Sequence, residues 1–133
     1  SPNSSLWYNN LTQSNLTPPP IVFALVWPML YLMLALIAWY LWQSKKTDSS
    51  GELKWIWYLY ILQMLMNWLW TPLFFQFHLI GFSLGWIISL TLLNYYLGYL
   101  FSKKNRYLAA LFVPYIIWLS FATYLNAVIY WFN

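Results

Sequence analysis

Apolar positions dominate this chain in four long runs, and polar positions mark the breaks between them. Residues 21–42 hold no charged side chain, and residues 54–77, 82–101 and 107–132 form three further runs. The breaks at 43–53 and 102–106 are short and polar or basic, and the one at 78–81 is a tight turn with no formal charge. At about 1.5 Å per helical residue, each run reaches across roughly 30 Å of hydrocarbon. Backbone groups in lipid must be satisfied within the segment, so runs of this length predict helices. The expected fold is an all-α membrane protein, an antiparallel bundle of four transmembrane helices. Residues 1–20 differ: they are rich in Asn, Ser, Thr and Pro, with Leu6, Trp7 and Tyr8 as their bulky cluster. They are too polar to span and have no positively charged start, which argues against a signal peptide. They are expected to lie extended at the membrane surface, with Pro18-Pro19-Pro20 suited to starting the first helix.

The second run breaks the apolar pattern in an ordered way. Gln63 and Asn67 lie four residues apart, Trp70 follows three later, and Phe74 four after that. At about 100° per residue these four fall on one helical stripe. Amides facing hydrocarbon without partners are costly, so the stripe is expected to face protein, a ligand or a cavity. Matching stripes run along two other spans. Phe23, Trp27, Leu30, Tyr31 and Leu34 line one side of the first. Leu111, Pro114, Tyr115, Trp118, Ala122, Leu125, Asn126 and Ile129 line one side of the fourth. Helix packing alone accounts for any single aromatic here, and Trp39, Trp42, Trp55 and Trp57 near span ends suit an interfacial belt. Three facing stripes of rings with a few amides also describe an apolar small-molecule pocket, with flat walls for a flat hydrophobic ligand. In the third span Ser83, Ile87, Leu90, Thr91 and Asn94 share a side with Gly98, a pattern of packing contacts with no binding role.

Composition strengthens the membrane reading. The 133 residues are 62% hydrophobic, 24% aromatic and 6% charged. A soluble domain carries about 25% charged residues. Lys45, Lys46, Lys54, Lys103, Lys104 and Arg106 all fall beside the breaks after the first and third spans. The positive-inside rule therefore puts segments 43–54 and 102–106 on the cytoplasmic side. The net charge of +4 needs no nucleic acid to explain it. Chemistry is sparse. There is no cysteine, the two acids Asp48 and Glu52 sit in a loop, and His78 is the single histidine. No catalytic constellation and no metal site can be assembled, and a proton- or cation-coupled transporter lacks an intramembrane carboxylate. His78 reads as a solvated turn residue rather than a cofactor ligand.

At these residues the sequence resembles the translocator protein family, the tryptophan-rich sensory proteins (TspO) of bacteria and the peripheral benzodiazepine receptor of animals. The matching pieces are Trp7-Tyr8, Pro18-Pro19 with Val22-Phe23, Val26-Trp27 and Leu30-Tyr31. Next comes Gln63-x3-Asn67-Trp68-x-Trp70 with Pro72-x-Phe74-Phe75. The last is Pro114-Tyr115-x2-Trp118-x2-Phe121-Ala122-Thr123-x-Leu125-Asn126. The resemblance implies a helical bundle binding porphyrins, sterols and drug-like ligands, with residues 7–20 as a lid. It implies a pocket lined by Tyr8, Phe23, Trp27, Asn67, Trp70, Trp118, Ala122 and Leu125; the stripes add Tyr31, Phe74 and Asn126. No cofactor is required, and protoporphyrin IX or heme enters as a ligand. The family bundle has five spans, and the one expected before Trp7 is not in this chain. The family's sterol motif wants a basic residue after Tyr130, and the chain reaches Asn133 without one. A homodimer is implied, in the bacterial cytoplasmic membrane or, in a eukaryote, the mitochondrial outer membrane. The leading expectation is a receptor or carrier for flat lipophiles. The alternatives are an enzyme degrading protoporphyrin with light and oxygen, and a structural membrane assembly protein.

Overall fold

The computed structural model describes residues 7–133. The first six residues of the expected 1–20 surface segment lie outside the described residues. Four long helices follow: α1 (Pro20–Lys45), α2 (Glu52–Thr71), α3 (Ile80–Lys104) and α4 (Arg106–Phe132). Helices therefore occupy the four expected runs, each with ends shifted by a few residues. By length and composition, α1 from Ile21, α3 and α4 are apolar enough to cross a membrane. Glu52–Thr71 falls short of that apolar standard; it carries Gln63 and Asn67 within its 20 residues.

Local chemistry sets the helix ends. Pro19 is extended (φ −60°, ψ 153°) and Pro20 occupies the first turn of α1, where a missing N–H costs nothing. Gly51 precedes α2 at φ 80°, a left-handed conformation that glycine adopts without a Cβ penalty. Asn105 is the whole connection between α3 and α4, and its Oδ1 accepts from the N–H groups of Tyr107 and Leu108. Pro72 interrupts the second span. The chain widens there into a π-helical turn, Pro72–Gln76, closed by Phe77 N–H donating to Pro72 O at 3.1 Å. Proline lacks the N–H for a regular turn and crowds the carbonyl four residues earlier, so the backbone absorbs the fault as a π-bulge. Residues 7–9 form one helical turn within the segment expected to lie extended.

The helices pack as a ring. α3 and α4 share the most extensive contact, α2 packs on α3, and α1 closes the ring by touching α2 and α4 more lightly. Among the described residues α1 makes no backbone approach to α3, nor α2 to α4. Gly98 lets α3 and α4 come close: a Cβ there would lie 2.9 Å from Ile116 Cδ1. Polarity is inverted relative to a soluble bundle. Gln63, Asn67, Ser83, Thr91, Asn94 and Asn126 are buried, while Leu32, Trp39, Leu92, Ile117 and many other large apolar side chains face outward. Outward apolar surface and inward polar groups are what a lipid solvent demands.

The interior has two halves. Toward the end that carries every lysine and arginine, Leu34, Leu41, Ile56, Tyr60, Leu97, Phe101 and Phe112 form a packed apolar core. Phe101 meets Phe112 edge-on at 4.9 Å, and the Tyr60 hydroxyl donates to Leu34 O. Toward the other end, with residues 7–19, His78 and Asn133, the interior holds the aromatic and amide stripes.

At the basic end Asp48 fastens the start of α2. Its Oδ2 accepts from Leu53 N–H at 2.9 Å, and its Oδ1 accepts from the Ser50 hydroxyl at 2.8 Å. The Leu53 bond first, then the Ser50 hydroxyl, hold its carboxyl below the usual carboxylate range. A depressed folded-state value stabilises the fastened loop above the ordinary carboxylate pKa, and that contribution is lost as pH falls through the lowered one. The expected result is that protection of the Leu53 amide, relative to its intrinsic exchange rate, persists through the ordinary carboxylate range and is lost only in stronger acid. In Asp48→Ala that protection is already absent at neutral pH.

Candidate functional site

The first turns of α1 and the middle of α4 bring four rings together. Phe23 meets Trp118 edge-on at 5.5 Å, Trp27 meets Trp118 edge-on at 6.1 Å, and Trp27 stacks on Tyr31 at 5.6 Å. The spacing explains the grouping: Phe23, Trp27 and Tyr31 recur every four residues on one helix face. The Trp118 indole N–H is buried here with no hydrogen-bond partner among the described residues. A buried unpaired donor costs about 1–3 kcal/mol, so this group is a standing demand for an acceptor.

Beneath the rings a polar chain crosses the bundle. Tyr31 OH donates to Asn67 Oδ1 at 3.3 Å, Asn67 Nδ2 donates to the Tyr115 hydroxyl oxygen at 2.9 Å, and Tyr115 OH donates to Gln63 Oε1 at 2.7 Å. Three helices, α1, α2 and α4, are joined through two amides and two phenols. Both ends of the Asn67 amide are committed, and the residue is 5% exposed. Gln63 Nε2 is also buried and unpartnered among the described residues.

A second knot forms around Asn126. Trp70 Nε1 donates to Asn126 Oδ1 at 3.1 Å, Ser83 Oγ approaches the same oxygen at 3.2 Å, and Asn126 Nδ2 donates to Ile80 O at 3.3 Å. Trp70 stacks on Phe74 at 5.7 Å. Phe74 sits in the π-turn, and the N-terminal segment docks on it: Trp7 at 5.4 Å and Tyr8 at 6.1 Å, both edge-on. Trp7 also stacks flat on His78, with centroids 4.0 Å apart. Burial pushes the Tyr8 hydroxyl above its ordinary pKa, so it remains a neutral phenol at physiological pH. Farther along, Thr12 and Asn133 clasp each other. Thr12 N–H donates to Asn133 Oδ1 and Asn133 Nδ2 to Thr12 O, each at 2.9 Å. The Ser14 and Tyr124 hydroxyls meet at 2.7 Å.

The expected site residues thus fall into two joined groups. Phe23, Trp27, Tyr31 and Trp118 form the ring cluster, with Asn67 directly below it. Trp70, Phe74, Asn126 and Tyr8 form the second group, nearer the N-terminal segment. Ala122 and Leu125 are buried on the α4 face between them. Asn67 commits its amide to Tyr31 and Tyr115, and the open donors among the described residues are Trp118 Nε1 and Gln63 Nε2. Tyr115 was read only as part of the α4 stripe, yet it is the hub of the polar chain; its place three residues before Trp118 was the available signal. Trp7 was not counted either, and nothing in sequence spacing links it to His78, which turns at φ 55° to meet it. Ser83, assigned to packing alone, helps hold Asn126.

An apolar groove of about 380 Å³ lies on the outer side of α1 and α2, lined by Tyr31, Leu34, Ala35, Tyr60, Met64 and Trp68 among others. Tyr31 belongs to both the groove and the ring cluster. The arrangement offers flat aromatic surface, two unpaired donors and a lipid-facing approach, with no acid or base among its groups.

Comparison with known proteins agrees with this architecture. The TspO/MBR family profile matches residues 1–132. The chain is 33% identical over 120 residues to the tryptophan-rich sensory protein of Cereibacter sphaeroides, covering 90% of this chain and 72% of that protein. It is 28% identical over 134 residues to the tryptophan-rich protein TspO of Bacillus cereus, covering 99% of this chain and 84% of that protein. It is 29% identical over 126 residues to the translocator protein of Sus scrofa, covering 90% and 70% respectively. A match over nearly the full length, joined to apolar helices that turn their amides and tryptophans inward, places this integral membrane protein in the TspO/MBR family.

Proposed function

We propose that the protein is a membrane receptor or carrier for flat lipophilic molecules, porphyrins such as protoporphyrin IX or heme first and sterols second. The observation that carries this reading is the buried, unpartnered Trp118 indole N–H inside a cluster of aromatic faces. A flat ring system lies against Trp27 and Phe23 and presents a carboxylate or carbonyl oxygen to that donor, and the groove beside Tyr31 admits it from the lipid. Residues 7–19 act as a lid, held at Phe74, His78 and Asn133. The basic end faces the cytoplasm by the positive-inside rule, in a bacterial cytoplasmic membrane, and the protein works as a homodimer. Relatives named for sensing and for translocation support a ligand-binding role over a purely structural one.

The test is titration of tryptophan fluorescence with protoporphyrin. Saturable quenching is expected in the intact protein, with weaker binding in Trp27→Ala and Trp118→Ala. Absence of saturation, or equal affinity in all three proteins, overturns the proposal.

A further inference from the structure

At the basic end a second groove, also about 380 Å³, runs between the start of α2 and the end of α3. Glu52, Trp55, Ile56, Leu100, Lys103 and Lys104 line it. The lining is graded by depth. Glu52 and Lys104 form the rim, and their ion pair ties the two helices together. One helical turn inward on each helix, four residues away, stand Ile56, buried, and Leu100, half-buried. Four residues correspond to about 6 Å along a helix axis, so charge gives way to hydrocarbon over roughly the depth of a lipid headgroup. Trp55 is exposed at the same level, the position where tryptophan meets the membrane–water boundary.

The rim has surplus positive charge. Glu52 is engaged by Lys104, while Lys103 makes no ion pair among the described residues and extends its ammonium over the Tyr99 ring at 4.6 Å. A soluble anion would use the lysines but not the Ile56–Leu100 floor. A neutral or zwitterionic lipid would use the floor but leave the Lys103 charge unanswered. We infer that this groove is a binding site for one anionic phospholipid, its phosphate at Lys103 and Lys104 and the upper part of an acyl chain on Ile56 and Leu100. The site is separate from the aromatic cluster and does not depend on what that cluster binds.

The experiment is native mass spectrometry of the full chain in mild detergent with equal amounts of phosphatidylglycerol and phosphatidylcholine of identical acyl chains. A lysine near a lipid phosphate contributes about fivefold in affinity, so phosphatidylglycerol is expected to be retained at least about fivefold over phosphatidylcholine. The preference should fall to parity in Lys103→Gln/Lys104→Gln. It should also fall in Leu100→Trp, which fills the floor and keeps every charge. Lys45→Gln/Lys46→Gln, which removes equal charge outside the groove, should leave it intact, and circular dichroism should show each variant helical. Millimolar inorganic phosphate should not displace the lipid. Parity in the unaltered protein, an unchanged preference in the Lys103/Lys104 variant, equal loss in the Lys45/Lys46 variant, or displacement by phosphate each overturns the inference.

Discussion

Trp118→Phe is expected to bind protoporphyrin about tenfold more weakly while its unliganded form melts no lower than the original protein. The two effects have one cause. Phenylalanine keeps one ring against Phe23 and Trp27 but removes the rest of the indole, including its N–H, which is buried and unpartnered among the described residues. Without ligand that N–H is a liability, and its loss relieves a desolvated donor. With ligand it becomes a hydrogen bond to a charged or polar oxygen, worth about 1.5 kcal/mol or more in a low-dielectric site. The smaller ring leaves a partial void that offsets some of the stability gain, which sets the expectation at no loss rather than a rise. Fluorescence titration and thermal denaturation on the same preparation check both halves. Unchanged affinity in Trp118→Phe alongside weakened affinity in Trp118→Ala would locate the contribution in the ring face instead of the donor.

Tyr115→Phe should be the most destabilising single-atom change in the bundle, lowering unfolding free energy by about 1–2 kcal/mol. Its hydroxyl accepts from Asn67 Nδ2 and donates to Gln63 Oε1. Removing it orphans both atoms, and Gln63, whose Nε2 is already unpartnered, is left with no bond on its amide. Tyr31→Phe should cost less: its bond to Asn67 is longer, at 3.3 Å, and the tyrosine is 40% exposed. Thermal unfolding in detergent ranks the two variants; equal melting temperatures would mean that the polar chain adds little beyond packing.

Much of the fold could be read from the order of side chains. Run lengths gave the helices to within a few residues, because in lipid an apolar run long enough to span has one backbone solution. The stripe of Gln63, Asn67 and Phe74 is buried as its 3.6-residue spacing required, and Ser83, Thr91 and Asn94 on α3 turn inward for the same reason. Less legible was whatever depends on pairing between helices. Spacing placed Tyr115 and Asn67 on inward faces, but only the diagonal across the ring shows that one caps the other. It could not show that Trp70 spends its N–H on Asn126 while Trp118 keeps its own unspent. The π-turn was visible only as a proline that had to be accommodated, not as the bulge that accommodates it. The Trp7–His78 stack joins residues from separate segments, and no local pattern encodes it.

The polar chain through Tyr115 also imposes an order on biosynthesis. Chains are made from the N-terminus, so α2 reaches the membrane before any of α4 exists. At that moment Asn67 can find Tyr31 on α1, but Gln63 has no phenol to bond. The helix with the weakest claim to a place in lipid therefore arrives before the partner that makes it tolerable. Its amides must meanwhile be sheltered by water, by the insertion machinery or by each other. α4, synthesised after the other three, acts as the keystone: until it docks, the bundle holds an unsettled span.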